Sequence, residues 1–237
     1  MKKKAVCLLS GGLDSSVTAY LAKDQGYDVY ALSFRYGQRH AKELVCAKKI
    51  ANAVGAKEHI IFDVPLDTFG GSALLISSSQ KIKDHQVNEI GSTIPSTYVP
   101  ARNTVFLSLA LAYAETFDAD AIFLGANAVD YSGYPDCRPE YIAAFQKLAV
   151  LATKTGVHKK TVHIVAPLLM LSKAEIVKTG VKLQVPFDKT WSCYRGGTKA
   201  CGKCDSCLLR LKGFYEADIQ DPIDYLTVPA WYTFASR

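Results

Sequence analysis

An apolar run near the start of the chain, AVCLL, passes directly into SGGLDSS at residues 10–16 and then into a helical pattern. That junction constrains the fold more than any other stretch. Residues 4–9 read as a short buried strand. Residues 15–25 read as a helix, with Val17, Tyr20 and Leu21 at spacings of three and four and Gly26 ending it. Residues 28–34 are the next strand, 40–54 the next helix, stopped by Gly55, and 58–62 a third strand. Strand and helix alternating over about sixty residues require right-handed crossovers. The expected fold class is therefore α/β, a doubly wound parallel sheet with helices on both faces.

Regularity lapses over residues 63–102, an insertion rich in glycine, serine and proline that includes GSTIPSTYVPARN. A loop of that length inside a compact domain is functional or disordered. Residues 103–117 resume as a helix and 121–125 as a strand, followed by a polar loop, ANAVDYSGYPDCR, at 126–138. Residues 139–155 form a helix with proline in its first turn, 162–166 a last strand, and 172–183 a helix whose start carries Ser172 and Glu175 at capping-box spacing. From residue 186 onward the chain holds a cysteine cluster and a short helix. The expected division is a nucleotide-binding domain at 1–185 and a small C-terminal metal-binding subdomain at 186–237.

Composition excludes some function classes. Of 237 residues, 49% are hydrophobic and 21% charged, the balance of an ordinary globular protein. The apolar run in MKKKAVCLL is too short for the core of a signal peptide, and VFLSLALAYA is too short to span a bilayer. The expected location is cytoplasmic, with no membrane partner. A net charge of +6 suits an anionic substrate such as a nucleotide. It gives little support to binding of RNA or DNA, and no nucleic-acid partner is expected.

Turns at the C-terminal edge of a parallel sheet are where α/β proteins bind ligands, and SGGLDSS lies at the first of them. Gly11 and Gly12 let backbone amides approach a phosphate, Ser10, Ser15 and Ser16 add hydroxyls, and the helix that follows points its positive end at the anion. Asp14 is a carboxylate beside phosphates, which makes sense if Mg2+ bridges the two. No lysine follows, as it does in the GxxxxGK[ST] loop that serves terminal phosphoryl transfer.

Four of the seven cysteines, Cys193, Cys201, Cys204 and Cys207, crowd into WSCYRGGTKACGKCDSC. Four thiolates in one segment match a tetrahedral structural zinc with no open position for water. The same four would also hold an iron–sulfur cluster or pair as disulfides, although a reducing compartment favours metal. Cys7 and Cys46 read as core thiols, and Cys137 sits in a polar loop without an evident base. His40 reads as a helix-start residue and His59 as a structural strand residue.

SGGLDS resembles the SGGxDS signature of the PP-loop ATP pyrophosphatases. The resemblance implies that the loop holds the β- and γ-phosphates as pyrophosphate while a nucleophile attacks the α-phosphorus. It also implies that adenine lies near the end of the second strand, around Ser33 and Phe34, so the ATP-binding residues are Ser10, Gly11, Gly12, Leu13, Asp14, Ser15, Ser16, Ser33 and Phe34. Together with SFRYGQRH, VPARN, DYSGYPDCRPEY and the cysteine segment, the loop resembles the nitrile-forming ligases of queuosine-precursor biosynthesis over nearly the whole chain. One departure is Ala101 in VPARN, where glycine is expected.

That resemblance implies a two-stage reaction. ATP adenylates 7-carboxy-7-deazaguanine, ammonia displaces AMP to give an amide, and a second adenylation leads to the nitrile. A deazaguanine presents two parallel donors that suit a carboxylate. Asp130 and Asp136 are the candidates, with Asp136 favoured, and Tyr131 or Tyr134 would stack on the ring. Arg102, Lys173 and Arg138 are candidate cations, and Asp14, Arg102 and Lys173 the candidate catalytic set. Ammonia arrives free or from a partner, and a homodimer is a permitted assembly. A tRNA-modifying PP-loop enzyme would need a basic RNA-binding domain that the size and mild charge disfavour. A zinc-bearing nucleic-acid module would have no use for Asp14 and Ser15.

Overall fold

The computed structural model describes residues 2–39, 41–91, 93–129, 133–158 and 160–234. Five parallel strands, β1 (Lys4–Leu8), β2 (Asp28–Arg35), β3 (Glu58–Asp63), β4 (Ala121–Phe123) and β5 (His163–Val165), form one sheet in the order β3-β2-β1-β4-β5. The chain winds outward through β2 and β3, then returns to place β4 on the other side of β1. The switch point therefore lies between β1 and β4, where open α/β sheets bind ligands.

Strand β1 is buried on both faces, as a central parallel strand requires. Alternation sends Val6, Leu32 and Ile122 to one face, where Leu107 and Ala110 of α3 (Arg102–Thr116) and Phe145 of α4 (Pro139–Ala152) cover them. Ala5, Cys7 and Phe123 face the other way, against α1 (Leu13–Asp24) and α2 (Lys42–Val54). Cys7 is buried there as a core thiol, whereas Cys46 is buried on the other side of α2, against Trp191 and the cysteine segment.

Helix α4 ends sooner than the sequence suggests. Thr153 takes an extended conformation, its hydroxyl accepts the N–H of Gly156, and the Glu115 carboxylate accepts that of Lys154. A second short helix, α5 (Lys154–Val157), starts there. Ser172 and Glu175 form the expected capping box at the start of α6 (Lys173–Lys182). The insertion at 63–102 is anchored by buried Leu66, Leu74, Leu75 and Val99, and Arg39 donates to the carbonyls of Ala73, Ser78 and Gln80. The C-terminal helix α7 (Asp205–Glu216) packs Phe214 with Phe187, Ile176 and Val17. No described helix is long and apolar enough to cross a membrane.

Candidate active site

Chain and sheet topology bring the ends of β1 and β4 to a cavity of about 300 Å3. The end formed by residues 10–16, the expected phosphate site, is built by contiguous residues. Gly11 has φ +80°, and a Cβ there would lie 2.4 Å from the Ala47 nitrogen and from the Glu43 carbonyl oxygen. Only glycine lets the loop pass that close to α2. Gly12 is the N-cap of α1 and carries no side chain to cap it, which leaves the first-turn amides to an anion. The Ser10 and Ser15 hydroxyls lie 3.0 Å apart, and Ser15 also donates to the Gly12 carbonyl at 3.2 Å. Ser10, Gly12, Leu13, Asp14 and Ser15 line the cavity. Gly11 and Ser16 stand behind it, Ser16 being fully buried with its hydroxyl on the Gly12 carbonyl at 2.7 Å.

Lys173 reaches this end from α6. Its ammonium lies 2.9 and 3.0 Å from the two Asp14 carboxylate oxygens. The lysine stem crosses α7 at Gly213, where a Cβ would come within 2.4 Å of it. A cation in a helix's first turn works against the helix dipole, so Lys173 is held here by Asp14 and the cavity wall rather than by its own helix.

The opposite end is assembled from distant segments. Phe34 stacks on Phe106 with ring centroids 3.9 Å apart, and Tyr36, Leu74, Arg102 and Tyr134 complete the wall. Arg102 donates to the Tyr36 hydroxyl at 3.2 Å and lies 5.5 Å over that ring. Burial pushes the Tyr36 phenol up to about 12. Ser33 points away from the cavity: its hydroxyl donates to the Leu9 carbonyl and lies 2.7 Å from His59 Nε2.

Asp136 is buried, and its carboxylate accepts the Asn103 backbone N–H at 2.9 Å, capping α3 from a remote loop. It lies outside the cavity lining, as does exposed Arg138. Asp130, Tyr131 and His40 lie outside the described residues. Cys137 lines the cavity, but burial, with Asp136 adding, pushes its thiol up to about 11, so it is no nucleophile near neutrality.

The four cysteines converge as their spacing predicts. Sγ atoms of Cys193, Cys201, Cys204 and Cys207 all lie within 4.8 Å of one another, with Cys201 and Cys207 at 3.8 Å. Tetrahedral zinc with bonds of about 2.3 Å places its sulfurs roughly 3.8 Å apart, so the cluster fits that ion. Backbone N–H groups of Arg195 and Cys201 point at Cys193 Sγ, and those of Lys203 and Cys204 at Cys201 Sγ, as outer partners of thiolate ligands do. The segment is tied to the phosphate loop: Trp191 N–H donates to the Gly11 carbonyl at 2.9 Å. Lys42 lies 3.2 Å over the Trp191 ring and donates to the carbonyls of Gly197 and Thr198.

Residues 4–218 match the family model described as queuosine biosynthesis protein QueC. The chain belongs to the QueC family. Relatives named 7-cyano-7-deazaguanine synthase match nearly the whole chain. That of Coxiella burnetii (strain RSA 331) is 55% identical, covering 95% of this chain and 99% of the relative. That of Trichodesmium erythraeum is 54% identical over 93% and 99%, and that of Thermoplasma acidophilum 52% identical over 98% and 95%.

Against this QueC background, the cavity also recruits residues that sequence reasoning left aside. Glu43 sits in the first turn of α2, and Trp191, Ser192 and Tyr194 precede or follow the first cysteine. Burial pushes the Glu43 carboxyl up to about 7, with Arg102 opposing and Cys193 adding. The signal for Glu43 was its place three residues after YGQRH at the edge of a parallel sheet.

Proposed function

We infer that this QueC-family chain converts 7-carboxy-7-deazaguanine and ammonia to 7-cyano-7-deazaguanine, using ATP and releasing AMP and pyrophosphate. The observation that carries this reading is the likeness to relatives named for that product over 93–98% of the chain. The amides at the start of α1, with the Ser10 and Ser15 hydroxyls, hold the β- and γ-phosphates. The substrate carboxylate attacks the α-phosphorus, pyrophosphate leaves, and ammonia displaces AMP from the adenylate. The resulting amide oxygen is adenylated in turn, and loss of AMP leaves the nitrile. Carboxylate and amide oxygens are poor leaving groups until adenylated, so the enzyme's work is positioning and charge stabilisation.

Asp14 would hold Mg2+: it is a hard oxygen donor at the phosphate end, and Mg2+ takes its remaining ligands from phosphate and water. The ion would supply charge neutralisation at the phosphates. Lys173 provides a second cation there, and Arg102 faces the substrate carboxylate or the α-phosphate. Phe34 flanks the adenine, and Tyr134 packs on the deazaguanine. The donor edge of the heterocycle is read from the 126–138 loop, with Asp130 and Tyr131 as its contacts. Asp136 acts through Asn103, fixing the start of α3 and hence Arg102. Zinc on the four cysteines is structural.

The test is incubation with ATP, ammonium and 7-carboxy-7-deazaguanine, followed by mass spectrometry. Amide, then nitrile, and AMP are expected only when the acid is present. AMP formation that ignores the acid, or that requires RNA, overturns the reading.

A further inference from the structure

Both stages of that chemistry shed protons from nitrogen, so the cavity needs a proton acceptor. Among the described residues, two carboxylates line it, Asp14 and Glu43. Asp14 is engaged through both oxygens by Lys173. The Glu43 side chain has no hydrogen bond to a described residue. Its backbone carbonyl abuts Gly11, the residue lines the cavity, and its carboxylate lies within electrostatic reach of Arg102. No histidine among the described residues lines the cavity: His59 bonds Ser33 behind the sheet edge and His85 pairs with Asp205.

We propose that Glu43 is the proton acceptor for the reacting nitrogen. This rests on the functional reading above. Its carboxylate takes one proton from ammonium, and the freed lone pair attacks the carbonyl carbon of the acyl adenylate. The C–N bond forms, the C–O bond to AMP breaks, AMP leaves with the bonding pair, the surplus proton on nitrogen passes to water, and Glu43 returns its own proton to solvent before the second stage. In the second stage one N–H proton of the amide passes to water as its oxygen is adenylated, and the same carboxylate takes the last one as the C–O bond breaks, giving the C≡N bond and AMP.

The experiment compares Glu43→Gln with the unmodified protein using two nucleophiles. Hydroxylamine is largely unprotonated near neutral pH and needs no base to become nucleophilic. The variant is expected to lose amide formation from ammonium by roughly 10²–10⁴-fold. It should keep acid-dependent pyrophosphate exchange and hydroxamate formation within about threefold, a split of at least ~2 kcal/mol. Equal losses with both nucleophiles, or a raised KM for the acid with no split, would mean that Glu43 only shapes the site or reads the heterocycle, and overturn the proposal. Full retention of ammonium activity overturns it too. If the unmodified protein itself makes no amide, the functional reading fails, and the base with it.

Folding of the variant has its own control. Glu43→Gln should melt within about 4 °C of the unmodified protein, so that a split between the two nucleophiles reports chemistry and not a lost fold. A variant that melts well below that range and shows no split would overturn the proposal.

Discussion

The two ends of the cavity are built by opposite means. At the proposed phosphate end, one unbroken stretch supplies Ser10, Gly12, Asp14 and Ser15, and the groups proposed to bind are mostly backbone amides at the start of α1. At the other end, Phe34, Leu74, Arg102 and Tyr134 come from four segments, and what aims them is remote. Arg102 starts a helix whose cap, Asp136, lies more than thirty residues away in sequence. Each end also has a left-handed residue at its turn. Gly11 holds φ +80° at one, and Ala101 holds φ +53° at the other. A backbone site survives change in its side chains, whereas an assembled one depends on every segment that carries it.

The largest expected effect tests whether the phosphate end is as self-sufficient as this contrast implies. Trp191 and Lys42 join the cysteine segment to Gly11 and α2, so metal removal should reach the loop. Structural zinc is worth about 10–16 kcal/mol in isolated peptides. Chelation, or Cys204→Ser, should lower the melting temperature by about 10–20 °C, equivalent to roughly 5 kcal/mol, and weaken ATP binding. Scanning calorimetry with and without chelator gives the first number. Unchanged ATP affinity in the stripped protein would show that the loop stands alone.

Asp14→Asn comes next. Turnover should fall about 10³-fold, some 4 kcal/mol, with the fold intact. An unaltered rate removes Asp14 from the chemistry. Gly11→Ala should cost about 3 kcal/mol or more, because a Cβ 2.4 Å from two α2 backbone atoms forces the loop and helix apart on top of the left-handed strain. Denaturant titration measures it. A loss below ~1 kcal/mol would mean that α2 yields easily.

The same contrast decides what was legible in the sequence. The parallel strands, the SGGLDSS turn and the cysteine cluster all follow from residues close together, where period and spacing carry the signal. The capping box at Ser172 is of that kind, and it forms as read. Helix 139–155 is one residue run in pattern, but Glu115 from α3 catches the amide of Lys154 and splits it, which no local rule contains. Ser33 was placed by its nearness to the strand end, yet alternation turns it behind the sheet while Phe34 faces the cavity. Asp136 has the right chemistry for a heterocycle edge, and the fold spends its carboxylate on Asn103. Glu43 was passed over because its neighbours in space, Gly11 and Arg102, are far from it in sequence.

The smallest effect is the mirror of Gly11→Ala. Ala101 is exposed, sits at φ +53° and ψ +23°, and its N–H donates to the Tyr98 hydroxyl at 2.9 Å. The left-handed region costs a residue with a Cβ roughly 1–2 kcal/mol, while glycine adds about 0.5–1 kcal/mol of unfolded-state freedom. Ala101→Gly should therefore stabilise by about 0.5–1 kcal/mol, raising the melting temperature by roughly 1–4 °C. Because Asp136 rather than residue 101 caps α3, Arg102 should stay in place and the KM for the acid should not move. A raised KM would show that the alanine's strain aims Arg102. An assembled end would then have a local component after all, and Ala101 would be a functional choice rather than a tolerated one.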